Sequence, residues 1–379
     1  MARGRQHRER GQLQDAIREW GRAVALDGSN VGLRLDLATA CTEAGDFEQG
    51  IHHLQTVLES DPACQQALYW LGVAYMQGGN PAAAIRHWQE ALRLHPDDVQ
   101  LRFSLAQALF CQSRHKKALA QVERVLKAEP GHVEALNLRG VVHMTTGDSH
   151  AALADFRACV RMGPPRTRGY FNLGLVYLQM RWMDAAALCF ERAMRQGPCL
   201  DAEYHLACIR ALRGDLVGAC QQLVRTAAQE PNQDRCLLML ARLNAQRGSL
   251  EEACQAFRGA LAVRNRAETF AGLGEVCHAL GRYDEAVPNL VRALREPQEW
   301  AAEVRLLLAD AYLRLGDSGQ ALATIQVGLK ATPEWAAGHA MLGDVHLARG
   351  RRSAARAAWR KALKLAPENA ELRRRLEES

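Results

Sequence analysis

Large apolar residues recur along the chain at intervals of 34 residues, with drift to 33 or 35 in its second half. The series consists of Trp20, Leu54, Trp88, Val122, Phe156, Phe190, Leu223, Phe257, Leu290, Ile325 and Trp359. A small residue stands four positions before each of them, at 16, 50, 84, 118, 152, 186, 219, 253, 286, 321 and 355. Since about four residues make one helical turn, both residues lie on one face of a helix. The pattern therefore predicts a chain of repeated helical units.

A second series of small residues lies twelve positions before the first and predicts a second helix in each unit. Its members are Gly4, Ala38, Gly72, Ala106, Gly140, Gly174, Ala207, Ala241, Gly274, Ala309 and Gly343. Between the two series nine units carry a glycine, which can end a helix in the left-handed conformation. Ser113 and Arg181 replace that glycine in the other two units.

Most units also close with a proline, which cannot continue the preceding helix. These prolines are Pro62, Pro96, Pro130, Pro164, Pro198, Pro231, Pro333 and Pro367. Each repeat is therefore predicted to be a helix, a tight turn, a second helix and a stop.

The third unit shows a family pattern most completely. It contains Tyr69-Trp70-Leu71-Gly72-Val73-Ala74-Tyr75, followed by Gly79, Ala84, Trp88, Ala91 and Pro96. This pattern resembles the tetratricopeptide repeat (TPR), a helical hairpin of 34 residues. The resemblance covers essentially the whole chain. It implies an all-α solenoid, a right-handed superhelix of about eleven helical hairpins, in which the first helix of each pair lines a concave groove.

A solenoid stacks neighbouring repeats and is not limited to ordinary domain sizes, so we expect one elongated domain over 1–379. Its units are an incomplete first repeat at 1–30 and repeats 31–64, 65–98, 99–132, 133–166, 167–199, 200–233, 234–266, 267–301, 302–335 and 336–369, with a cap at 370–379. The segment 260–300 departs from the pattern, because one closing proline is missing and Pro288 falls inside a helix. We expect a bend there, or local drift without mechanical consequence.

Eleven cysteines are scattered without a CxxC pair, which indicates buried free thiols in a reducing compartment. The N-terminal residues 1–10 are charged and lack the apolar core of a signal peptide. No later segment has the length of a membrane span. We therefore expect a soluble, cytoplasmic protein. The first hairpin begins late, however, which fits either a solubilising cap or a truncated N-terminus. In the second case the compartment would have to be argued from the cysteines alone.

Motifs for catalysis or for phosphate and metal binding are not found in usable form. His205 and Cys208 have the spacing of two metal ligands on one helix, with Cys199 and Cys236 as further candidates. Without a paired motif, we predict neither a metal site nor a cofactor, and we predict that the chain is not an enzyme.

Basic residues gather at both ends, although the net charge is only +6. The clusters are Arg3, Arg5, Arg8 and Arg10 at one end, and Arg349, Arg351, Arg352, Arg356, Arg360, Lys361, Lys364 and 373–375 at the other. Such clusters can contact the phosphates of nucleic acids or of membranes. They lack interleaved aromatic residues for stacking, so exposed solvating charge is the preferred interpretation.

The repeat template places positions two, five, nine, twelve and thirteen of each unit on the concave surface. In the middle repeats these are largely apolar: Tyr69, Val73, Met76, Phe103, Phe110, Val141, Met144, Phe171, Leu175, Leu178 and Tyr204. In later repeats they are acidic: Glu268, Glu275, Glu303, Asp310 and Asp344. An apolar strip with a polar rim is typical of a protein-binding surface, although any one of these side chains could instead pack between adjacent first helices.

Two family-specific binding modes are disfavoured by the residues at the corresponding positions. Members that hold the terminal carboxylate of a chaperone use lysine and asparagine; Asn137 and Asn172 occur here, but positions five and nine carry no lysine. The asparagine ladder of O-linked N-acetylglucosamine transferases, at position six, is absent.

The leading hypothesis is a non-enzymatic scaffold or adaptor that binds an amphipathic protein segment with basic residues toward the acidic end of the groove. The first alternative is a recruiting arm of a larger enzyme or cell-envelope assembly factor. The second is docking to nucleic acid or a membrane through the basic ends. Self-association through the edges or ends of the solenoid stays open.

Overall fold

The structure is a computed structural model that describes residues 2–163, 166–229, 234–296 and 298–378. Throughout these residues the chain forms α-helices joined by short turns, without a β-strand. Two of the predicted closing prolines, Pro164 and Pro231, lie outside the described residues. The chain divides into two compact units, residues 1–198 and 199–379.

The first unit contains six successive helical hairpins. Its helices are α1 Ala2–Glu9, α2 Leu13–Leu26, α3 Val31–Glu43, α4 Phe47–Ser60, α5 Gln65–Gln77, α6 Pro81–Leu94, α7 Val99–Cys111, α8 His115–Ala128, α9 Val133–Thr145, α10 Ser149–Met162, α11 Arg166–Gln179 and α12 Met183–Gln196.

The second unit contains five hairpins and one additional helix. Its helices are α13 Leu200–Leu212, α14 Leu216–Gln229, α15 Asp234–Gln246, α16 Leu250–Val263, α17 Ala267–Ala279, α18 Tyr283–Ala293, α19 Ala301–Arg314, α20 Ser318–Ala331, α21 Ala336–Ala348, α22 Arg352–Leu365 and α23 Ala370–Glu378. The prediction of an all-α repeat solenoid is confirmed. The division into repeats stays a prediction, although most first helices begin within one residue of a predicted repeat start.

The two periodic residue series form the contact between the helices of each hairpin. Every large residue of the series on the second helices is buried, and none of these side chains is more than 3% exposed. The small residues on the first helices leave room for these side chains. A Cβ atom on Gly140, for example, would lie 2.7 Å from the ring of Phe156. The 34-residue period is therefore a packing pattern.

Side-chain caps fix the start of several helices. Asn30, Asp46, Asn80, Asp98, Asp148 and Asp317 each accept a hydrogen bond from a backbone N–H in the first turn of the helix that follows. Such bonds satisfy amide groups that have no partner within the helix.

The turn between the helices of a hairpin requires a left-handed residue. All nine glycines predicted at this position have positive φ, between 71° for Gly350 and 90° for Gly214. Ser113 and Arg181 occupy the same turn with φ of 56° and 62°. Ser113 and Arg181 thus keep the left-handed backbone of the turn, which is sterically unfavourable for residues with a Cβ atom.

The predicted irregularity at 260–300 coincides with a local departure from the hairpin geometry. Helix α18 spans 11 residues, whereas the other second helices span 14 within the described residues. Pro288 lies inside α18, where its ring nitrogen cannot donate to the helix. The Asn289 side chain donates to the Glu285 carbonyl oxygen at 2.7 Å. Whether these features bend the solenoid stays a prediction.

Candidate protein-binding groove

Side chains from three successive first helices of the first unit, α7, α9 and α11, line an open pocket of about 290 Å³. Phe103, Phe110 and Val141, all predicted groove residues, are among the apolar side chains that line it. Phe103 is only 7% exposed and lies with its ring centroid 4.9 Å from that of His132, whereas Phe110 and Val141 are half-buried. The structure therefore brings part of the predicted apolar strip together in one concavity.

Further lining residues were not predicted from the sequence. Three of them are polar residues at concave positions: Gln107 at position nine of its repeat, and Glu134 and Arg168 at position two of theirs. They are missing from the predicted groove because the prediction for the middle repeats contains only apolar residues. Val133 and Leu138 lie at positions that the template did not include. Polar groups thus stand at the pocket beside its apolar surface, the arrangement found in many ligand-binding pockets.

Asn137 and Asn172, the two asparagines of the unsupported carboxylate-binding mode, bond to each other. The Asn172 Nδ2 donates to the Asn137 Oδ1 at 2.7 Å, and Asn172 is 8% exposed. This contact joins α9 to α11. It holds two adjacent first helices in register beside the pocket.

The remaining apolar residues of the predicted groove lie apart from this pocket. Tyr69 lines a separate cavity with Gln65, Gln66, Asp98 and Gln100, and Gln100 Nε2 donates to its hydroxyl oxygen at 3.4 Å. Val73 and Met76 are half-buried against the hydrophobic core of the first unit.

The predicted groove residues after α7 differ in their surroundings. Met144, Phe171, Leu175 and Leu178 are half-buried, and the Phe171 ring centroid lies 5.8 Å from that of Phe190. Tyr204 belongs to the second unit, where the Arg235 guanidinium lies over its ring at 4.5 Å. Burial raises the pKa of the Tyr204 hydroxyl.

Three of the five predicted acidic groove residues have cationic partners within the second unit. Glu268 bonds to Arg242 at 3.0 Å, and Asp310 pairs with Arg314 at 3.5 Å and lies 2.8 Å from the His278 ring. Asp344 accepts two bonds from Arg375, at 2.6 and 2.7 Å. The Trp359 indole N–H also donates to Asp344 at 3.1 Å.

The other two acidic residues, Glu275 and Glu303, are exposed. The described residues provide no ion pair to either of them. Glu275 and Glu303 therefore form the part of the predicted acidic surface that is most accessible to an incoming cation.

The basic ends are partly neutralised by carboxylates of the chain. At the first end, Arg8 donates to Glu43 at 3.0 Å and Arg5 to Asp36 at 3.4 Å. At the other end Arg375 is held by Asp344. Burial lowers the pKa of the Arg375 guanidinium, but its bonds to the Asp344 and Glu371 carboxylates outweigh that effect and raise the pKa. These ends offer fewer free charges than their sequence suggests.

Among the described residues no group of three or more histidine, cysteine, aspartate or glutamate side chains is arranged to hold a metal ion. Burial is the main cause of the lowered pKa of His205 and of the raised pKa of Cys208. Within the described part of the chain, none of the helices combines the length and apolar character needed to cross a bilayer.

Curated relatives match parts of the chain. "Tetratricopeptide repeat protein 8" of Caenorhabditis elegans is 24% identical over 57% of this chain and 43% of its own length. The "FK506-binding protein-like" protein of Mus musculus is 34% identical over 30% of this chain and 35% of its length. "Protein O-mannosyl-transferase Tmtc3" of Drosophila melanogaster is 27% identical over 39% and 16%. The chain thus spans less than half the length of these relatives.

A solved structure of the APC/C hetero-tetramer Cut9–Hcn1 aligns over 99% of this chain and 94% of its own, with 15% identity and a TM-score of 0.44. Family models described as tetratricopeptide repeat match residues 35–88, 74–121, 112–167, 167–196, 267–288, 278–345 and 336–369. The matches to the family models and the hairpin fold confirm the resemblance in the sequence. The chain belongs to the tetratricopeptide repeat family, whose members generally serve as scaffolds that bind peptides or proteins.

Proposed function

We propose that the chain is a non-enzymatic scaffold that binds an amphipathic segment of a partner protein on the first-helix surface of its first unit. The pocket lined by Phe103, Phe110 and Val141 carries this proposal. An apolar side chain of the partner occupies the pocket, and polar groups of the segment meet Gln107, Glu134 and Arg168. Buried apolar anchors of this kind contribute much of the affinity of protein interfaces.

Basic residues of the partner are proposed to contact the acidic surface of the second unit. Glu275 and Glu303 supply this surface, since they are the exposed members of the predicted acidic set. Charges of this kind increase association rate and orient the ligand more than they increase affinity. The proposed partner therefore combines an apolar face with lysine or arginine.

The experiment fills the pocket and leaves its native apolar side chains in place. Gln107 is exposed on α7 and lines the pocket, so Gln107→Trp introduces bulk where the partner would bind. Gln89→Trp on the second helix α6 is the matched control, because Gln89 is also exposed. Alanine at Phe103 would instead disturb packing, since that residue is only 7% exposed.

Crosslinked affinity capture from native lysate, followed by mass spectrometry, compares the original chain with both variants. The expected result is a protein retained by the original chain and by Gln89→Trp but lost from Gln107→Trp. Far-UV circular dichroism checks that helicity is unchanged. Identical captures by all three chains would show that the pocket is not the binding surface.

A second candidate function is a recruiting arm of a larger enzyme. Its support is the match to part of Tmtc3, whose name is that of a transferase. An immunoblot of the source cells with an antibody raised against this chain tests the idea. A native species well above 41.9 kDa agrees with it, and a species of that mass contradicts it.

A further inference from the structure

The irregular segment of the second unit opens a cavity of about 900 Å³. It lies between the end of α16, the start of α17, the end of α18 and the start of α19. Helix α18 ends at Ala293, three residues short of the 14 that other second helices reach. Arg264 and Arg266 have extended backbone, and they lie where that repeat lacks a closing proline. The cavity is thus a consequence of the break in the repeat pattern.

Four arginines line this cavity against two glutamates, which gives the lining an excess of positive charge. Arg266 is already paired with Asp234 at 2.7 Å and lies 3.6 Å from Glu268. Arg292 lies over the Phe270 ring at 5.6 Å. Arg264 and Arg295 are exposed, and neither forms an ion pair with another described residue. Two guanidinium groups therefore remain available to an anionic ligand.

The cavity also has aromatic and amide groups in its lining. Phe270 and Trp300 are half-buried there, beside Asn265 and Gln298. Aromatic surface contributes to the binding of side chains, and amides bond to the backbone of an extended ligand. A ligand that uses both parts of the cavity needs carboxylates and apolar groups together.

We propose that this cavity binds an acidic segment of a partner polypeptide, in which carboxylates pair with Arg264 and Arg295 and an apolar side chain contacts Phe270 and Trp300. Guanidinium groups bind carboxylates through two parallel hydrogen bonds, which favours arginine over lysine at such a site. The charge of the cavity is opposite to that of Glu275 and Glu303. The cavity is therefore a second binding site, separate from the proposed groove.

Fluorescence polarisation of the full chain tests the site with a labelled peptide in which aspartates and glutamates alternate with phenylalanines. The control peptide has asparagine and glutamine in place of the acids. The acidic peptide should bind about tenfold more tightly than the control peptide, because charge pairing at a partly enclosed site contributes of that order. Arg264→Gln with Arg295→Gln should remove this preference, and lysine at both positions should restore only part of it.

Arg351→Gln with Arg352→Gln is the matched control, since both residues are exposed arginines of the second unit and the charge change is the same. This variant should bind the acidic peptide as the original chain does. The pocket-filling Gln107→Trp variant should bind it equally well, which separates this site from the proposed groove. Equal binding of both peptides, or loss of binding in the Arg351/Arg352 variant alone, would overturn the proposal. Displacement by micromolar inorganic phosphate would also overturn it and indicate a small-anion site.

Discussion

Gly72 of α5 lies directly against the indole of Trp88 on α6. A Cβ atom added to Gly72 would stand 2.1 Å from Trp88 Nε1, well inside any normal contact distance. The indole N–H donates to the carbonyl oxygen of Tyr69, one turn earlier on α5, at 3.1 Å. The absence of a side chain at Gly72 therefore lets the indole reach the backbone of the opposite helix.

The first prediction follows from this contact: Gly72→Ala should lower the free energy of unfolding by about 2 kcal/mol, since the added methyl group displaces a buried indole. Gly21→Ala is the control. Gly21 lies in helix α2 with no atom within 4 Å of an added Cβ, so its substitution should stabilise the chain by up to about 1 kcal/mol through helix propensity. Urea denaturation followed by circular dichroism measures the free energy of unfolding of both variants. Destabilisation by both variants to the same extent would contradict the packing argument.

The second prediction concerns the two hairpin turns without glycine. Ser113→Gly and Arg181→Gly should each stabilise the chain by about 1 kcal/mol, because left-handed backbone costs other residues about that much. The reverse substitution Gly79→Ala should destabilise by a similar amount, since Gly79 has φ of 80° and open space around it. Thermal or urea unfolding distinguishes the signs. A loss of stability in both glycine variants would show that side-chain contacts of Ser113 and Arg181 outweigh the strain.

The sequence predicted the hairpins and their turns because both are local. Helix periodicity, turn glycines and the residues in contact within a hairpin are all separated by fixed short intervals, so even the turns at Ser113 and Arg181 could be located by their place in the repeat. Chain order alone did not show how charges pair between repeats. Asp344 and Arg375 are 31 positions apart, yet their ion pair removes Asp344 from the accessible acidic surface.

The pocket was predicted only in part for a related reason. The template gave the direction of Phe110 and Val141, but the depth to which each side chain packs depends on its neighbours in adjacent repeats. Phe103 illustrates this, since its position in the repeat is concave while its ring is almost completely buried against His132. The basic cavity at Arg264 arises where the repeat pattern fails, so the template predicted a disturbance there without its chemistry.

The third prediction concerns the ion pair between Arg139 on α9 and Asp155 on α10. Arg139 Nε lies 3.0 Å from Asp155 Oδ2, Nη2 lies 2.6 Å from Oδ1, and this bonding raises the pKa of the guanidinium. Asp155 is 5% exposed, so Asp155→Asn should cost about 3 kcal/mol of stability by leaving a partly buried cation without its charge partner.

The matched control is Asp15→Asn, which removes an exposed carboxylate that pairs with Arg18 within α2. It should change stability by less than about 0.5 kcal/mol, as exposed ion pairs usually do. Urea unfolding at neutral pH measures both variants. Equal effects would mean that burial of the Arg139–Asp155 pair has no energetic consequence.

The fourth prediction is that native cysteines differ strongly in their reactivity toward a disulfide reagent such as dithionitrobenzoate. Cys111 is the one cysteine of the described residues that is exposed, so it should react first. Burial raises the pKa of Cys41, Cys159 and Cys236 to about 11, and burial together with Cys254 raises that of Cys277 to about 12. At pH 8 their thiolate fraction is then about one in a thousand or less.

Raising the pH from 8 to 9 should increase that fraction about tenfold while the pH stays below the pKa, and slow labelling should accelerate accordingly. Cys111→Ser should abolish the fast phase. In denaturant all eleven cysteines should react, since burial is the cause of their protection. Fast labelling of Cys236 or Cys277 in the native chain would contradict their burial.

The fifth prediction tests the acidic surface of the second unit with an amphipathic peptide that carries lysines. Glu275→Lys with Glu303→Lys should slow association about tenfold at low salt, because exposed charges steer an oppositely charged ligand over distances that salt screens. Glu252→Lys with Glu334→Lys changes the net charge equally at two other exposed glutamates of that unit. If steering is local, this control slows association much less, and the difference between the variants shrinks as salt rises. Stopped-flow fluorescence gives the rates. Equal slowing by both variants would show that the association rate depends only on the net charge of the chain. Glu275 and Glu303 would then make no specific contribution to peptide binding.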